Sequence, residues 1–197
     1  MQFLDTLLNY IDKSSAITII VIAWLSVYFI AIIWIFIYKY FEVSAWYKSE
    51  FSALEKLDMS GGSGKGYSSP IISNFLQKYD SINAEAMQSL KLIVEKKATK
   101  GLTFLSIVAS TSPFIGLFGT VVAILETFAA LGDVGSATLT TVAPAISEAL
   151  VVTAVGIFVA IFAYSFHLAL KRRAYDLLNI VTRQIELLLS EEKHRNV

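Results

Sequence analysis

The sequence predicts an all-α membrane protein with three transmembrane helices per chain, long helices that extend into the cytoplasm, and assembly of several chains as a ring. Hydrophobic residues make up 55% of the 197 positions and charged residues only 16%, and the mean hydropathy is +0.62. Soluble domains contain about 25% charged residues, so this composition favours a membrane protein. Three apolar stretches reach the roughly 20 residues that a helix needs to cross a bilayer core. Open strands would leave backbone groups unsatisfied in lipid, so we expect these stretches to be helical.

The first transmembrane helix is predicted over residues 16–38, after a polar N-terminal segment of residues 1–15. The stretch contains no charged residue. Aromatic residues, among them Trp34, Tyr38 and Phe41, crowd its C-terminal end, which is typical of a membrane–water interface. The N-terminal segment lacks the basic start and the cleavage site of a signal peptide, so we expect this span to be retained.

A polar region of residues 39–100 follows, and we expect it to be mainly helical. Apolar residues recur at helical spacing over 44–57, 71–79 and 83–100. A Gly- and Ser-rich stretch over 59–69 separates the first of these helices from the second and is expected to be a flexible loop. The last helix is expected to run without a break into the second span.

The second transmembrane helix is predicted over residues 101–128 and contains Pro113. Because proline removes a backbone hydrogen bond, we expect it to bend this helix. Ser112, Gly116 and Thr120 follow at intervals of four, which places three small residues on one face. Such runs allow helices to approach closely in lipid.

The third transmembrane helix is predicted over residues 143–170, after a short loop of residues 129–142. Pro144 would then stand in the first turn, where proline is tolerated. Residues 171–197 begin with three basic residues and continue with leucine and isoleucine among charges. This pattern predicts an amphipathic C-terminal helix.

The basic residues predict the orientation of the chain. Nine lysines and arginines lie in 39–100, six follow residue 170, one precedes residue 16, and none lies in 129–142. The positive-inside rule therefore places the polar region and the C-terminal tail in the cytoplasm. The N-terminus and the short loop would lie outside.

The composition argues against several functions. The formal net charge is zero, so nothing indicates nucleic-acid binding. There is no cysteine, and two histidines alone do not make a metal site. The glycine-rich stretch around Lys65 has Gly66 where a phosphate-binding loop needs Ser or Thr. No nucleophile–base set is evident, so we expect no metal, no cofactor and no enzymatic activity.

Glu148 is the first candidate functional residue. It lies five residues into the third span, and placing a carboxylate in such a helix costs roughly 3 kcal/mol or more. Acids inside membrane spans commonly belong to proton relays. The alternative is a carboxyl near the interface that only hydrogen-bonds a neighbouring hydroxyl. Thr153 lies about 140° around the same helix, so the two side chains are expected to face different neighbours.

Two residues of the second span are further candidates. Thr120 is the only hydroxyl between Pro113 and Glu126 in that span. Its alternative role is to satisfy backbone groups around the nearby glycines. Glu126 stands close to the outer end of the span, where an ordinary interfacial carboxylate is the favoured interpretation.

Two segments of the sequence together resemble a known family. Residues 109–128, ASTSPFIGLFGTVVAILETF, and 143–161, APAISEALVVTAVGIFVAI, are similar to paired motifs of the ExbB/TolQ/MotA proton-channel family, and of ExbB and TolQ most closely. The similarity extends over 98–164. The first span and the polar region agree with the family in layout only.

The resemblance implies a pentamer in the bacterial inner membrane, with the N-terminus in the periplasm. A single-span partner of the TolR/ExbD type would sit inside the ring, and protons would drive motion of a TolA/TonB-like protein. Thr120, Glu148 and Thr153 match the family's polar positions on the proton path, whereas Glu126 stands where members are usually uncharged. The expected role is in the Tol-Pal envelope system. TonB-dependent uptake is one alternative, and a structural membrane scaffold with no proton path of its own is an alternative of another class.

Overall fold

The computed structural model describes residues 16–59, 69–76, 84–134 and 139–195, and the regular structure within them is α-helical. The helices are α1 (Ala16–Met59), α2 (Pro70–Leu76), α3 (Ala84–Ala98), α4 (Leu102–Val134) and α5 (Leu139–Arg195). The predicted all-α class is therefore confirmed for this part of the chain. The N-terminal segment 1–15 and nearly all of the predicted Gly- and Ser-rich loop lie outside the described residues.

Three of the helices contain stretches that are long and apolar enough to cross a membrane. These stretches are Ala16–Lys56, Leu102–Gly132 and Val142–Ser190, and their most apolar 18-residue windows have mean hydropathies of 2.7, 2.0 and 2.3. Only 17%, 17% and 28% of their most apolar windows is buried within the chain. Most of these side chains are therefore available to lipid or to other protein chains.

Helices α1 and α5 are long, continuous helices that run past the predicted ends of the first and third spans. The first predicted span and the predicted helix over 44–57 form one helix, and so do the third span and the C-terminal tail. Helix α1 contains neither glycine nor proline, and none follows Gly156 in α5. Each helix therefore changes from apolar to charged residues along its length without a residue that would interrupt its backbone.

The expectation that α3 continues into the second span is wrong. Helix α3 ends at Ala98, a turn over 99–101 follows, and α4 begins at Leu102. Gly101 has a φ of 94°, a left-handed conformation that residues with a Cβ rarely adopt. A single glycine therefore separates a helix of the polar region from the second span.

The connection between α4 and α5 is shorter than the predicted loop over 129–142. Helix α4 continues to Val134, and α5 already begins at Leu139. Pro144 consequently lies inside α5, not in its first turn. Since proline has no N–H, it cannot donate to the carbonyl of Thr140.

The chain divides into two compact units. The first, which we name the apolar unit, contains the described residues of 16–34 and 104–166. The second, the polar unit, contains those of 35–103 and 167–195. All three membrane-length helices contribute residues to both units.

The core of the polar unit is formed by one face each of α1, α2, α3 and α5. Its buried members are Val43, Ile72, Phe75, Met87, Leu90, Val94, Ala98, Ala174, Leu177, Leu178, Val181 and Ile185. Burial of an aliphatic or aromatic side chain contributes roughly 1.5–3 kcal/mol. This cluster is thus a main source of stability for the unit.

A buried carboxylate, Glu50, joins α1 to α2. Its Oε2 accepts a 2.6 Å hydrogen bond from the Ser69 hydroxyl, and its Oε1 accepts one of 2.9 Å from the backbone N–H of Ile71. The main-chain carbonyl of Glu50 accepts a third, of 2.9 Å, from the Gln184 side chain of α5. The first N–H groups of a helix have no intrahelical acceptor, so Glu50 supplies one that the short α2 lacks.

Replacement of Glu50 by Ala is expected to loosen α2, because the Ser69 hydroxyl and the Ile71 N–H lose their acceptor. The expected loss is about 1–3 kcal/mol of local stability. Hydrogen exchange followed by mass spectrometry should show faster exchange over Pro70–Leu76. Glu55→Ala, an exposed change on the same helix, is the control and should leave that exchange unaltered. Equal protection in both variants would contradict the anchoring role.

Candidate functional site

Two glycines bring the backbones of α4 and α5 together in the apolar unit. A Cβ on Gly156 would lie 2.6 Å from the carbonyl oxygen of Ser112 and 3.0 Å from the Cα of Gly116. A Cβ on Gly116 would lie 3.0 Å from the carbonyl oxygen of Val152 and 3.1 Å from the Cα of Thr153. Neither position has room for a side chain, so glycine sets how closely the two helices cross.

A third glycine brings α1 into the same packing. A Cβ on Gly119 would lie 2.7 Å from Cγ1 of Val152 in α5 and 3.2 Å from Cγ1 of Val21 in α1. Both valines are buried. Three membrane-length helices thus meet where the small residues lie, as expected for helices that pack without a hydrophobic driving force between them.

Beside this crossing, the hydroxyl groups of Thr120 and Thr153 are in direct hydrogen-bond contact. Each hydroxyl oxygen also lies 3.2 Å from the carbonyl oxygen of Gly116. That of Thr120 lies 3.2 Å from the carbonyl oxygen of Ala149 as well. These are four contacts, but the two hydroxyl groups have only two protons to donate. The four contacts therefore cannot all be hydrogen bonds at the same time.

The contact between these threonines is a result that the sequence patterns do not contain. The sequence places Thr120 and Thr153 in different spans and predicts a role for each separately. The bond from Thr120 to Gly116 also fits the alternative of backbone satisfaction within one helix. The bonds to Ala149 and Thr153 go further, because they join α4 to α5.

Glu148 is close to this pair in sequence, on the same helix as Thr153. It directly precedes Ala149, the residue whose carbonyl faces Thr120. The residue is half-buried, and its Oε1 is inaccessible to solvent. Its position on the helix differs from that of Thr153 by about 140°. A half-buried carboxyl group in an otherwise apolar helix can gain and lose a proton, as the acids of proton relays do.

Glu126 occupies a different position. It is exposed on α4, six residues and about 9 Å beyond Thr120 along the helix. The neighbouring hydroxyl, that of Thr127, donates a 2.8 Å bond to the carbonyl of Ala123 in its own helix. The structure therefore groups Thr120 with Thr153 and leaves Glu126 nearer the far end of α4.

Helix α4 passes through Pro113 without interruption. The hydroxyls of the three preceding residues, 110–112, each donate to the carbonyl four positions earlier, at 2.9, 2.8 and 2.7 Å. Proline cannot serve the carbonyl of Ala109, and side-chain bonds of this kind often bend helices. The bend at Pro113 stays a prediction.

No group of three or more His, Cys, Asp or Glu residues that could hold a metal ion occurs in the described ranges. The chemical groups of the site are hydroxyls, carbonyls and one carboxyl. Such groups can donate, accept and pass protons. The glycines that position them belong to small-residue runs visible in the sequence, but only the structure shows which glycines face each other.

Comparison with known sequences agrees with this chemistry. The family described as the MotA/TolQ/ExbB proton channel family matches residues 65–183, a range that includes both threonines and Glu148. An ExbB-like biopolymer transport protein of Helicobacter pylori is 40% identical over 189 residues. That alignment covers 96% of this chain and 100% of the relative.

Other relatives match over a shorter part of the chain. The Tol-Pal system protein TolQ of Pseudomonas aeruginosa is 51% identical over 78 residues, which is 40% of this chain and 34% of TolQ. The biopolymer transport protein ExbB of Xanthomonas campestris is 42% identical over 85 residues, again 40% of this chain and 34% of the relative. A relative named TolQ and a relative named ExbB thus both share part of this sequence.

Proposed function

The chain belongs to the MotA/TolQ/ExbB proton channel family, and on that basis we propose that it is the ring-forming subunit of a proton-driven motor. The family and the three membrane-length helices indicate an inner-membrane protein. The observation that carries the proposal is the hydroxyl pair of Thr120 and Thr153 within otherwise apolar helices, one of which also contains the half-buried Glu148.

In this proposal Thr120, Glu148 and Thr153 lie on the proton path. The carboxyl of Glu148 gains and loses the proton, and the two hydroxyls orient the group with which it exchanges. Because each hydroxyl has more acceptors than protons, the pair can change its donor direction without moving either helix. Glu126 has a secondary role near the outer end of the path.

One chain has too few polar groups to conduct protons alone. We therefore propose that several copies, five by the family resemblance, surround a single-span partner of the TolR/ExbD type that supplies a further carboxylate. Proton passage would then turn the partner relative to the ring and act on a TolA/TonB-like protein. The excess of basic residues in 39–100 and in the C-terminal tail supports an orientation with both in the cytoplasm and the N-terminus in the periplasm.

The motor could serve either of two systems, TonB-dependent uptake or the Tol-Pal envelope system. The relative that matches this chain from end to end is named as an ExbB-like biopolymer transport protein, which favours an ExbB-type role. The TolQ relative has higher identity over a shorter range, which keeps the Tol-Pal role as the second candidate. The identity of the single-span protein that co-purifies with this chain distinguishes the two.

The proposal is tested by Thr120→Val and Thr153→Val, which preserve side-chain shape and remove the hydroxyls. Proton flux into vesicles that contain the chain and its co-purifying partner should fall at least about tenfold in each, the effect of roughly 1.4 kcal/mol on the barrier. Because the two hydroxyls share one contact, the double variant should lose little more than either single variant. Thr127→Val is the control, since that hydroxyl bonds only to its own helix.

A scaffold that merely holds its partner predicts the opposite result. In that case this chain would have no proton path to lose, so neither valine variant would change the flux measured for the parent complex, and the complex would assemble normally. Unchanged flux in both variants, with the partner still bound, would reject a proton path through these hydroxyls and favour the scaffold.

A further inference from the structure

Arg173 and Tyr40 form a contact in the polar unit that the proposed proton path does not use. Nη2 of Arg173 lies 3.5 Å from the hydroxyl oxygen of Tyr40, and the guanidinium carbon lies 5.7 Å from the centre of the Tyr40 ring. Tyr40 follows the end of the first predicted span by two residues, and Arg173 follows the end of the third by three. The pair thus lies where two apolar stretches become polar.

The positive charge of Arg173 has no carboxylate partner in the described part of the chain. Ion pairs there join Lys39 to Glu42 and Arg183 to Glu186. The residues before Arg173, Lys171 and Arg172, are exposed cations that add to the positive potential. The Tyr40 ring holds the partly buried guanidinium of Arg173 in a defined position. The hydrogen bond to Tyr40 uses one of its five N–H donors, so other donors can bind an anion.

The two side chains together present donors. The Tyr40 oxygen accepts the long hydrogen bond from Arg173, so its own O–H proton is free to donate elsewhere. Arginine binds phosphate and carboxylate groups through two parallel hydrogen bonds. An anion with several oxygens could therefore receive two bonds from Arg173 and one from Tyr40.

The surroundings identify which anion is suited to this place. Ile37, about one turn before Tyr40, is 50% exposed, and Phe41, which directly follows Tyr40, is 69% exposed. The Phe36 ring lies 5.6 Å from that of Tyr40. A soluble anion gains nothing from this apolar surface, whereas a phospholipid has acyl chains that would cover it. Basic pockets at membrane boundaries commonly bind lipid headgroups.

We propose that Arg173 and Tyr40 bind the phosphate of an anionic phospholipid, with its acyl chains along the exposed apolar face of α1 at Ile37. Both hydrogen-bond donors contact the phosphate, and the neighbouring cations Lys171 and Arg172 favour a headgroup with net negative charge. This lipid site takes no part in proton transfer, so the proposal can be tested independently of the proposed motor function.

Native mass spectrometry of the detergent-purified protein tests this proposal. After addition of phosphatidylglycerol or phosphatidylcholine, the parent chain should retain phosphatidylglycerol preferentially. Arg173→Gln should lower that retention about tenfold, and Tyr40→Phe about threefold, the size expected for a charged and a neutral hydrogen bond. Arg183→Gln is the matched control, because it removes the same charge from an exposed pair on the same helix.

Three results would overturn the proposal. Arg173→Gln could retain as much phosphatidylglycerol as the parent, or Arg183→Gln could lose as much as Arg173→Gln, which would indicate bulk charge alone. Inorganic phosphate at millimolar concentration could displace the lipid, which would make this a site for free phosphate. Unfolding temperatures in phosphatidylcholine micelles check that each variant is folded. If Arg173→Gln is unfolded, the retention of phosphatidylglycerol by Tyr40→Phe becomes the deciding measurement, since this variant keeps both the Arg173 charge and the aromatic ring.

Discussion

Replacement of Glu148 by Gln is expected to abolish proton-coupled work while leaving the protein assembled. Glutamine has nearly the shape of glutamate and can still form hydrogen bonds, but it cannot carry the transferred proton. Glu148 directly precedes the residue whose carbonyl faces Thr120, and its Oε1 is shielded from solvent. We expect at least a tenfold loss of proton flux, equivalent to about 1.4 kcal/mol or more on the barrier.

The matched control is Glu126→Gln, because this carboxylate is exposed and lies about 9 Å beyond Thr120. It should retain most of the flux if its role is secondary. Flux into dye-loaded vesicles gives the activity of both variants, and light scattering in detergent gives their assembly. A Glu148→Gln protein with full flux would remove Glu148 from the proton path. A Glu126→Gln protein that loses as much flux as Glu148→Gln would show that the role of Glu126 is not secondary.

Replacement of Gly156 by Ala is expected to force α4 and α5 apart. The new Cβ would lie 2.6 Å from the carbonyl oxygen of Ser112 and 3.0 Å from the Cα of Gly116. Both are backbone atoms, so no side-chain rotation can relieve the clash. Overpacking of this kind typically destabilises by about 1–3 kcal/mol. The same displacement would separate Thr120 from Thr153, so proton flux should fall together with stability.

Gly132→Ala is the matched control, because it makes the same substitution in α4 at a position where the added Cβ would contact nothing. No atom lies within 4 Å of the Cβ that it would add. Alanine in a helix is favoured over glycine by roughly 0.5–1 kcal/mol, so this variant should be as stable as the parent or slightly more stable. Unfolding of both variants in detergent, followed by circular dichroism, makes the comparison. Equal stability of the two would show that the close crossing is not important for the fold.

The helical class and the positions of the spans follow from local properties of the sequence. Runs of apolar residues of sufficient length can satisfy their backbone groups in lipid only as helices. Helix ends were less predictable. The change in polarity near Tyr38 and Leu170 predicts where the first and third spans end, and the helical backbone continues through both. Gly101 is the reverse case, since one residue with a left-handed φ ends a helix that the apolar pattern continues.

The candidate residues were predictable one at a time, because an acid or a hydroxyl in an apolar helix is conspicuous by itself. Thr120, Glu148 and Thr153 were singled out in this way. Glu126 was favoured as an interfacial carboxylate, and its exposure on α4 agrees with that interpretation. What the sequence could not show was that two of these side chains touch.

The sequence alone determined that three apolar helices exist and which of their residues are out of place in lipid. Only the tertiary structure decided that Thr120 meets Thr153, 33 positions further along the chain, with the Gly116 carbonyl between them. The physical reason is that helix formation depends on neighbours within one turn, whereas contact between helices depends on how closely their backbones approach. Here Gly116 and Gly156, which leave no side chain between α4 and α5, determine that approach.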